Sequence, residues 1–284
     1  MRLSEFRTHF QKTLLEIYPK EETDSIFKRL IAFYFEWDAV HPALNPNYFL
    51  DFKAHEKLKF ALSELKKEKP LQYITHQAPF FGMDFYVNES VLIPRQETED
   101  LVSWILDDIS ENKITFPYLI DIGTGSGCIA ISLAKANKEI NVNAIDLSEE
   151  ALKVAKKNAM KHQVKIDFIQ QDIQSLFHWK NQLDVIVSNP PYIHPNEKKE
   201  ISPNVLNYEP HMALFTPEND SLYYYKPIIN FAASVLKPGG SLYLEINPKY
   251  LELLKLNFSD VIFGEIEVRN DIFGKSRMLK VIKK

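Results

Sequence analysis

The sequence predicts an α/β fold: a parallel sheet covered by helices, preceded by a small helical domain and a β-hairpin linker. Three observations predict it. Apolar residues recur at helical spacing through residues 1 to 75. A single aromatic, β-prone run follows, built around one glycine. From residue 118 onward, short apolar strands alternate with helical patterns. The expected boundaries are 1–75 for the helical domain, 76–94 for the hairpin linker and 95–284 for the α/β domain.

In the first segment Leu3, Phe6, Phe10, Leu14 and Ile17 recur every three or four residues, as do Ile26, Leu30, Phe33 and Tyr34, and then Leu58, Leu62 and Leu65. Pro19, Pro42, Pro46 and Pro70 divide it into short helices. The charged run Lys66-Lys67-Glu68-Lys69 reads as a solvated helix face. Phe80 to Val87, turning at Gly82, reads as a hairpin. Strands are expected at 118–122, 142–145, 165–169, 183–187 and 241–246, with helices at 129–136, 149–162 and in the stretch ending at Leu236. Pro227 predicts a late start or a kink in that last helix.

Composition narrows the function. Lys and Arg number 34 against 38 Asp and Glu, a net charge of −4, so the electrostatic footprint of a phosphate-backbone binder is missing. The single cysteine, Cys128, excludes an internal disulfide and suits a reducing compartment. Residues 1–10 carry Arg2, Glu5 and Arg7 without an apolar stretch, so no signal peptide is expected. No window approaches the roughly 18 apolar residues of a membrane span, and a cytoplasmic location is expected. Eight scattered histidines and one cysteine provide no metal-ligand spacing, so no metal is expected.

Only eight glycines occur in 284 residues, and three of them are Gly123, Gly125 and Gly127. The run Asp121-Ile122-Gly123-Thr124-Gly125-Ser126-Gly127 lies where the first parallel strand ends and a helix begins. A dinucleotide fingerprint would need a glycine at Cys128, and a P-loop would need a lysine after the last glycine. Neither fits. The remaining reading is a ligand with an adenosine and no phosphate, S-adenosylmethionine, with its amino-acid part over the glycines. Asp146, ending the second strand, would accept hydrogen bonds from both ribose hydroxyls, since a carboxylate offers several lone pairs and no donor. Asp121 could steer the ligand's ammonium.

The fourth strand runs into Asn189-Pro190-Pro191-Tyr192. Ligands of open α/β sheets bind beyond the carboxyl ends of the strands, so this loop faces the same crevice as the glycines. Asn189 offers a side-chain oxygen, Pro190 a backbone oxygen and Tyr192 a flat face. Together they can hold a planar group ending in NH2 with both hydrogens accepted, exposing the nitrogen lone pair to a methyl donor.

These residues resemble the release-factor glutamine methyltransferases, the HemK/PrmC family. Pro70 to Ile74, Phe80-Phe81-Gly82, Pro94-Arg95-Gln96-Glu97-Thr98-Glu99, Asp121 to Ala134, Ser188 to Ile193, Glu209-Pro210 and Pro238-Gly239-Gly240 follow in the family's order. The resemblance implies a Rossmann-like class I methyltransferase with a seven-stranded sheet, and a helical domain that helps recognise the substrate protein. It implies methylation of the glutamine in the Gly-Gly-Gln loop of peptide-chain release factors. By the same implication Gly123, Thr124, Gly125, Ser126, Gly127, Asp146 and Asn189 hold the cofactor, and Ile173 lies against its adenine. Asn189, Pro190, Pro191 and Tyr192 form the substrate site, and Arg95, Glu97 and Thr98 shape the pocket. The chain departs from the family at Asn247, Tyr250 and Ser221. The competing reading is a methyltransferase of exocyclic base amines, because a flipped adenine or guanine also presents a planar NH2. Charge weighs against it, since the region after residue 75 carries a net −5.

Overall fold

A computed structural model describes residues 1–37, 41, 45, 47–175, 179 and 182–284, so the breaks expected at Pro42 and Pro46 lie outside the described residues. The chain forms two compact units: Met1–His76 with Ser202–Tyr208, and Gln77–Ile201 with Glu209–Lys284. These differ from the expected 1–75, 76–94 and 95–284 in two places. The hairpin is part of the second unit, and a short helix, Pro203–Tyr208, is part of the first.

The first unit contains α1 (Leu3–Leu14), α2 (Lys20–Phe35), α3 (Phe52–Leu65) and α4 (Leu71–Thr75). Its core is Leu3, Phe6, Phe10, Leu14, Phe27, Leu30, Leu58 and Leu62 with their neighbours. Each side chain of this size contributes roughly 1.5–3 kcal/mol on full burial. Asp51 caps α3 by accepting the Ala54 N–H at 2.7 Å. Ile17 and Phe33 repeat the apolar spacing yet stay exposed, because Ile17 lies past the end of α1 and Phe33 falls off the buried stripe of α2. No described helix is long and apolar enough to cross a membrane.

The second unit opens with the hairpin β1 (Gln77–Phe80) and β2 (Met83–Tyr86). Its two-residue turn puts Phe81 at φ 50° and Gly82 at φ 69°, the twist that antiparallel partners need. The Phe81 N–H donates to Glu99 Oε1 at 3.0 Å, and Phe80 and Phe85 pack with Trp104 in a common core. Glu99 and Trp104 belong to α5 (Glu97–Glu111), a helix the sequence reading did not place.

Then follow β3 (Tyr118–Ile122), α6 (Cys128–Ala136), β4 (Asn141–Asp146), α7 (Glu149–His162), β5 (Asp167–Gln170), β6 (Leu183–Ser188), α8 (Tyr225–Val235), β7 (Leu236–Glu245), β8 (Phe263–Asn270) and β9 (Ser276–Lys283). The seven-stranded sheet has the order β5-β4-β3-β6-β7-β9-β8. The five strands placed from sequence are parallel, as expected, whereas β9, which the sequence reading did not place, runs antiparallel to β7 and β8. A tight turn at 271–275 explains it, since a hairpin can only join antiparallel strands. Alternate residues of the central strands enter opposite cores. Leu119, Val185 and Tyr243 meet α5 and α6, and Ile120, Ile186 and Leu242 meet α8. Pro227 is the third residue of α8, so the helix starts late without a kink.

Gly127 joins α6 to α7. Its φ is 81°, and a Cβ there would sit 2.9 Å from Ile131 Cδ1 and 3.2 Å from Ala155 Cβ. The Ile131 tip can turn aside, but Ala155 has no rotamer to change. Gly127→Ala is therefore expected to cost about 2–4 kcal/mol from backbone strain plus overpacking. Gly125→Ala meets no atom within 4 Å and should lose clearly less. Urea unfolding of both variants checks this, and equal losses would leave only the backbone conformation to blame.

Candidate active site

Strand order places the site. The chain runs from β3 outward through β4 to β5, then returns to the other side of β3 as β6. The loops leaving β3 and β6 consequently diverge and open a crevice between them. Ile122 and Ser188 are register partners, and the Ser188 hydroxyl donates to the Ile122 carbonyl at 2.7 Å. Gly123 and Asn189 therefore start side by side.

A cleft of about 1120 Å³, counting its open mouth, occupies this crevice. It is lined by Gly123, Thr124, Gly125, Ser126, Asp146, Ile173, Asn189, Pro190, Pro191, Arg95 and Thr98, all anticipated from sequence. Gly127, Glu97 and Tyr192 are not among its lining residues. Gly127 faces α7, as described above. Tyr192 instead turns its hydroxyl to Glu245 Oε1 at 2.9 Å, under the Arg277 guanidinium, which lies 5.8 Å from the ring centre. Glu97 begins α5 and adds negative charge near Glu245.

The glycine loop is held from below. The Gly123 and Thr124 N–H groups donate to the Ile145 carbonyl at 2.9 and 3.0 Å. The Gly125 N–H donates to Asp146 Oδ2 at 2.8 Å, and the Ser148 N–H to Oδ1 at 2.9 Å. Asp146 is thus partly engaged by its own loop, and each oxygen keeps lone-pair capacity for a ligand. Burial raises its pKa. Asp121 is fully buried beneath the loop, where Thr124 Oγ1 donates to its Oδ2 at 2.6 Å. Burial pushes Asp121 up to about 7. Burial also pushes the Cys128 thiol up to about 12, so it is no nucleophile at neutral pH.

S-adenosylmethionine fits this cradle. Cβ positions at Gly123 and Gly125 are open, and Ser126 Oγ is buried without a hydrogen-bond partner among the described residues. Leu147 and Ile173 bring apolar side chains to the cleft beside the Asp146 carboxylate. Leu147 escaped the sequence reading, although an exposed leucine directly after a strand-ending acid is a visible signal.

The Asn189 loop is fixed by partners remote in sequence. Asn189 Nδ2 donates to Glu245 Oε2 at 2.9 Å and lies 3.4 Å from Thr98 Oγ1, which itself donates to Glu245 Oε2 at 2.6 Å. Neither Asn189 Oδ1 nor the Pro190 carbonyl accepts a hydrogen bond among the described residues. Arg95 Nη2 donates to the buried Glu209 at 2.6 Å, and the Ile93 N–H reaches the same carboxylate at 3.3 Å. The family departures have a structural role. Asn247 Nδ2 donates to the Tyr192 carbonyl and to Glu197 Oε1, both at 3.2 Å, and the Tyr250 hydroxyl meets the same Glu197 oxygen at 3.4 Å. Ser221 sits in the turn before α8, where the Leu222 N–H donates to Asp220.

The chain is similar to known methyltransferases. The family model for the methyltransferase small domain matches residues 100–208. The release factor glutamine methyltransferase of Flavobacterium psychrophilum is 43% identical, covering 99% of both chains. That of Bacteroides thetaiotaomicron is 37% identical over 98% of this chain and 99% of its own. Among solved structures, a T. thermophilus 16S rRNA methyltransferase in complex with AdoMet and guanosine shares the fold. It has a TM-score of 0.53 and 19% identity, over 73% of this chain and half of that one.

Proposed function

We propose the reaction from one premise: this chain belongs to the release factor glutamine methyltransferases, two of which match it over 98–99% of its length. It transfers a methyl group from S-adenosylmethionine to the side-chain amide nitrogen of the glutamine in the Gly-Gly-Gln loop of peptide-chain release factors. The observation that carries this reading is that Asn189 and Pro190, whose side-chain and main-chain oxygens accept no hydrogen bond among the described residues, line one cleft with the glycine cradle.

S-adenosylmethionine supplies a methyl group on a sulfonium, so its leaving group is a neutral thioether that needs no protonation. The chain's own work is orientation. Gly123, Thr124, Gly125, Ser126 and Asp146 would hold the cofactor, the last through its ribose, and Leu147 and Ile173 would offer apolar surface to its adenine. Asn189 Oδ1 and the Pro190 carbonyl accept the two hydrogens of the glutamine NH2. A free amide nitrogen delocalises its lone pair and is a poor nucleophile. Two acceptors fixed on one side would draw it towards a tetrahedral shape and release the lone pair; the N–C bond forms as the C–S bond breaks, and the N-methylated amide then loses one of its two protons to solvent. Such alignment is worth up to ~7–11 kcal/mol. Pro191 stiffens the loop, and Arg95 and Thr98 line the mouth. Tyr192 and Glu97 serve this site from behind, and Gly127 serves the cradle by letting α6 approach α7.

Asp121 is assigned to the cofactor's ammonium, through Thr124. Its carboxyl is raised from 3.8 to about 7 in the free protein. The neutral form is favoured by the fold, so this group's stabilisation is complete below 3.8 and is lost as pH rises towards 7. A cationic ligand favours the ionised form. Cofactor affinity should therefore strengthen from pH 5.5 to 7.5, and Asp121→Asn should flatten that trend in calorimetry. The same slope in the variant would remove Asp121 from the ammonium site.

The helical first unit is assigned to recognition of the body of the release factor, because a short flexible loop pays a large ordering cost on its own. Mass spectrometry after incubation with enzyme and cofactor tests both readings. One methyl is expected on the loop glutamine, and whole release factor should outperform a short Gly-Gly-Gln peptide. An unmodified glutamine overturns the activity, and equal rates overturn the recognition role. The same loop chemistry would suit a base amine, but no observation here favours nucleic acid.

A further inference from the structure

The carboxylate of Glu245 is the meeting point of the site. It ends β7, and the register pairing of Ser188 with Leu244 places it beside Asn189. It is 2% exposed. Three donors from two segments converge on it: Asn189 Nδ2 and Thr98 Oγ1 on Oε2, and the Tyr192 hydroxyl, from the same loop as Asn189, on Oε1. The positive charge of Arg277 acts on it, and Arg277 donates to Asp271 Oδ2 and to the Ile246 carbonyl, each at 3.4 Å.

An asparagine amide has two faces of nearly equal shape. One offers an acceptor and the other two donors. The proposed reaction requires Oδ1 towards the substrate, since a flipped amide would set donors against the donors of the glutamine NH2. An ionised carboxylate is an acceptor only, so it holds Nδ2 and repels Oδ1. Thr98, whose hydroxyl proton is already committed to Glu245, can only accept from Nδ2. The two partners therefore leave one orientation.

We propose that Glu245, with Thr98, is the positioning residue of this enzyme: it locks the Asn189 amide with its oxygen towards the cleft, and so makes the site select an NH2-terminated amide over a carboxylate. The proposal rests on the glutamine-methylating reading above. Burial raises the Glu245 pKa above the ordinary carboxylate value and Glu97 adds to the rise, while hydrogen bonds from Thr98 and Tyr192 and the charge of Arg277 oppose it; its acceptor role rests on geometry, two oxygens receiving three donated hydrogens. The carboxylate also strengthens Asn189 as an acceptor, because a hydrogen bond to an anion at Nδ2 pushes electron density onto Oδ1.

The test uses the full chain, whole release factor and saturating cofactor. Glu245→Gln keeps the shape but brings its own NH2 among three donors. It should lower kcat by about 30-fold or more with KM and cofactor Kd within about threefold of the parent. Thr98→Val should show a smaller loss in the same parameter, and Thr98→Ser should restore it. In an Asn189→Ala background, Glu245→Gln should add almost nothing, because both changes remove one device. Additive losses, or a kcat that Glu245→Gln leaves unchanged, overturn the proposal. A readout without substrate separates it from the functional reading. In 15N-labelled enzyme the Asn189 side-chain NH2 should be protected from solvent exchange, and Glu245→Gln should abolish that protection. An unprotected NH2 in the parent enzyme overturns the positioning role, whatever the substrate. A parent enzyme with the protected NH2 that leaves the release factor unmodified overturns the substrate reading and keeps the lock.

Discussion

Asn189→Ala should reduce turnover of release factor by about 100–1000-fold, the scale of losing one preorganised polar group at a reacting atom. The reason is local. In the proposed reaction Asn189 Oδ1 is one of two acceptors for the substrate NH2, and the Pro190 carbonyl cannot take both hydrogens in the same geometry. Cofactor affinity should change little, because Asp146 and the glycine loop do not depend on Asn189 for their hydrogen bonds. Rapid-quench turnover and calorimetry on one preparation decide the matter. If binding and turnover fall by the same factor, Asn189 holds the cofactor and the amide mechanism is wrong. Asn189→Asp should be nearly as damaging. A second carboxylate 2.9 Å from Glu245 would either repel it or capture a proton, and in both cases the Oδ1 geometry is lost.

Asp146→Ala should have the largest effect on binding. Each ribose hydroxyl donating to the carboxylate is worth ~1.5–3 kcal/mol, so affinity should fall on the order of 10-fold for one weak bond to 10,000-fold for two strong ones. The free protein should also lose stability, because the Gly125 and Ser148 N–H groups lose their acceptor and the loop loosens. Asp146→Asn separates the two effects. It retains one acceptor and should keep most of the stability, while cofactor binding stays weak. Unchanged affinity in both variants, measured by calorimetry on folded protein, would mean that the ribose is held elsewhere in the cleft.

Much of the site was legible because it lies in two continuous runs. Gly123 to Gly127 and Asn189 to Tyr192 each concentrate residues that a strand-to-helix or strand-to-loop exit needs, and both follow apolar strands. Asp146 was legible as an acid closing a strand. Glu245 carries that same signal at the end of β7 and was given no site role, and Glu209, the buried partner of Arg95, was named only as part of a motif. Neither has a neighbour in sequence that reports its partner. Glu245 and Thr98 stand 147 positions apart, and Arg95 and Glu209 stand 114 apart.

Sequence by itself determined the class of fold, the succession of strands and helices from β3 to β7, and the chemical types gathered at their exits. Those properties are local: apolar period, glycine at positive φ and proline in a loop act within a few residues. Tertiary structure alone decided which exits meet and which way the polar groups face. The return of β6 beside β3 opened the cleft, and the register of β6 on β7 put Glu245 beside Asn189. The same packing turned Tyr192 away from the cleft onto Glu245 and gave Gly127 to the contact with α7. A hydrogen bond falls off within an ångström of its best length, so its partners are set by how whole layers pack, and a one-dimensional pattern carries no such distance.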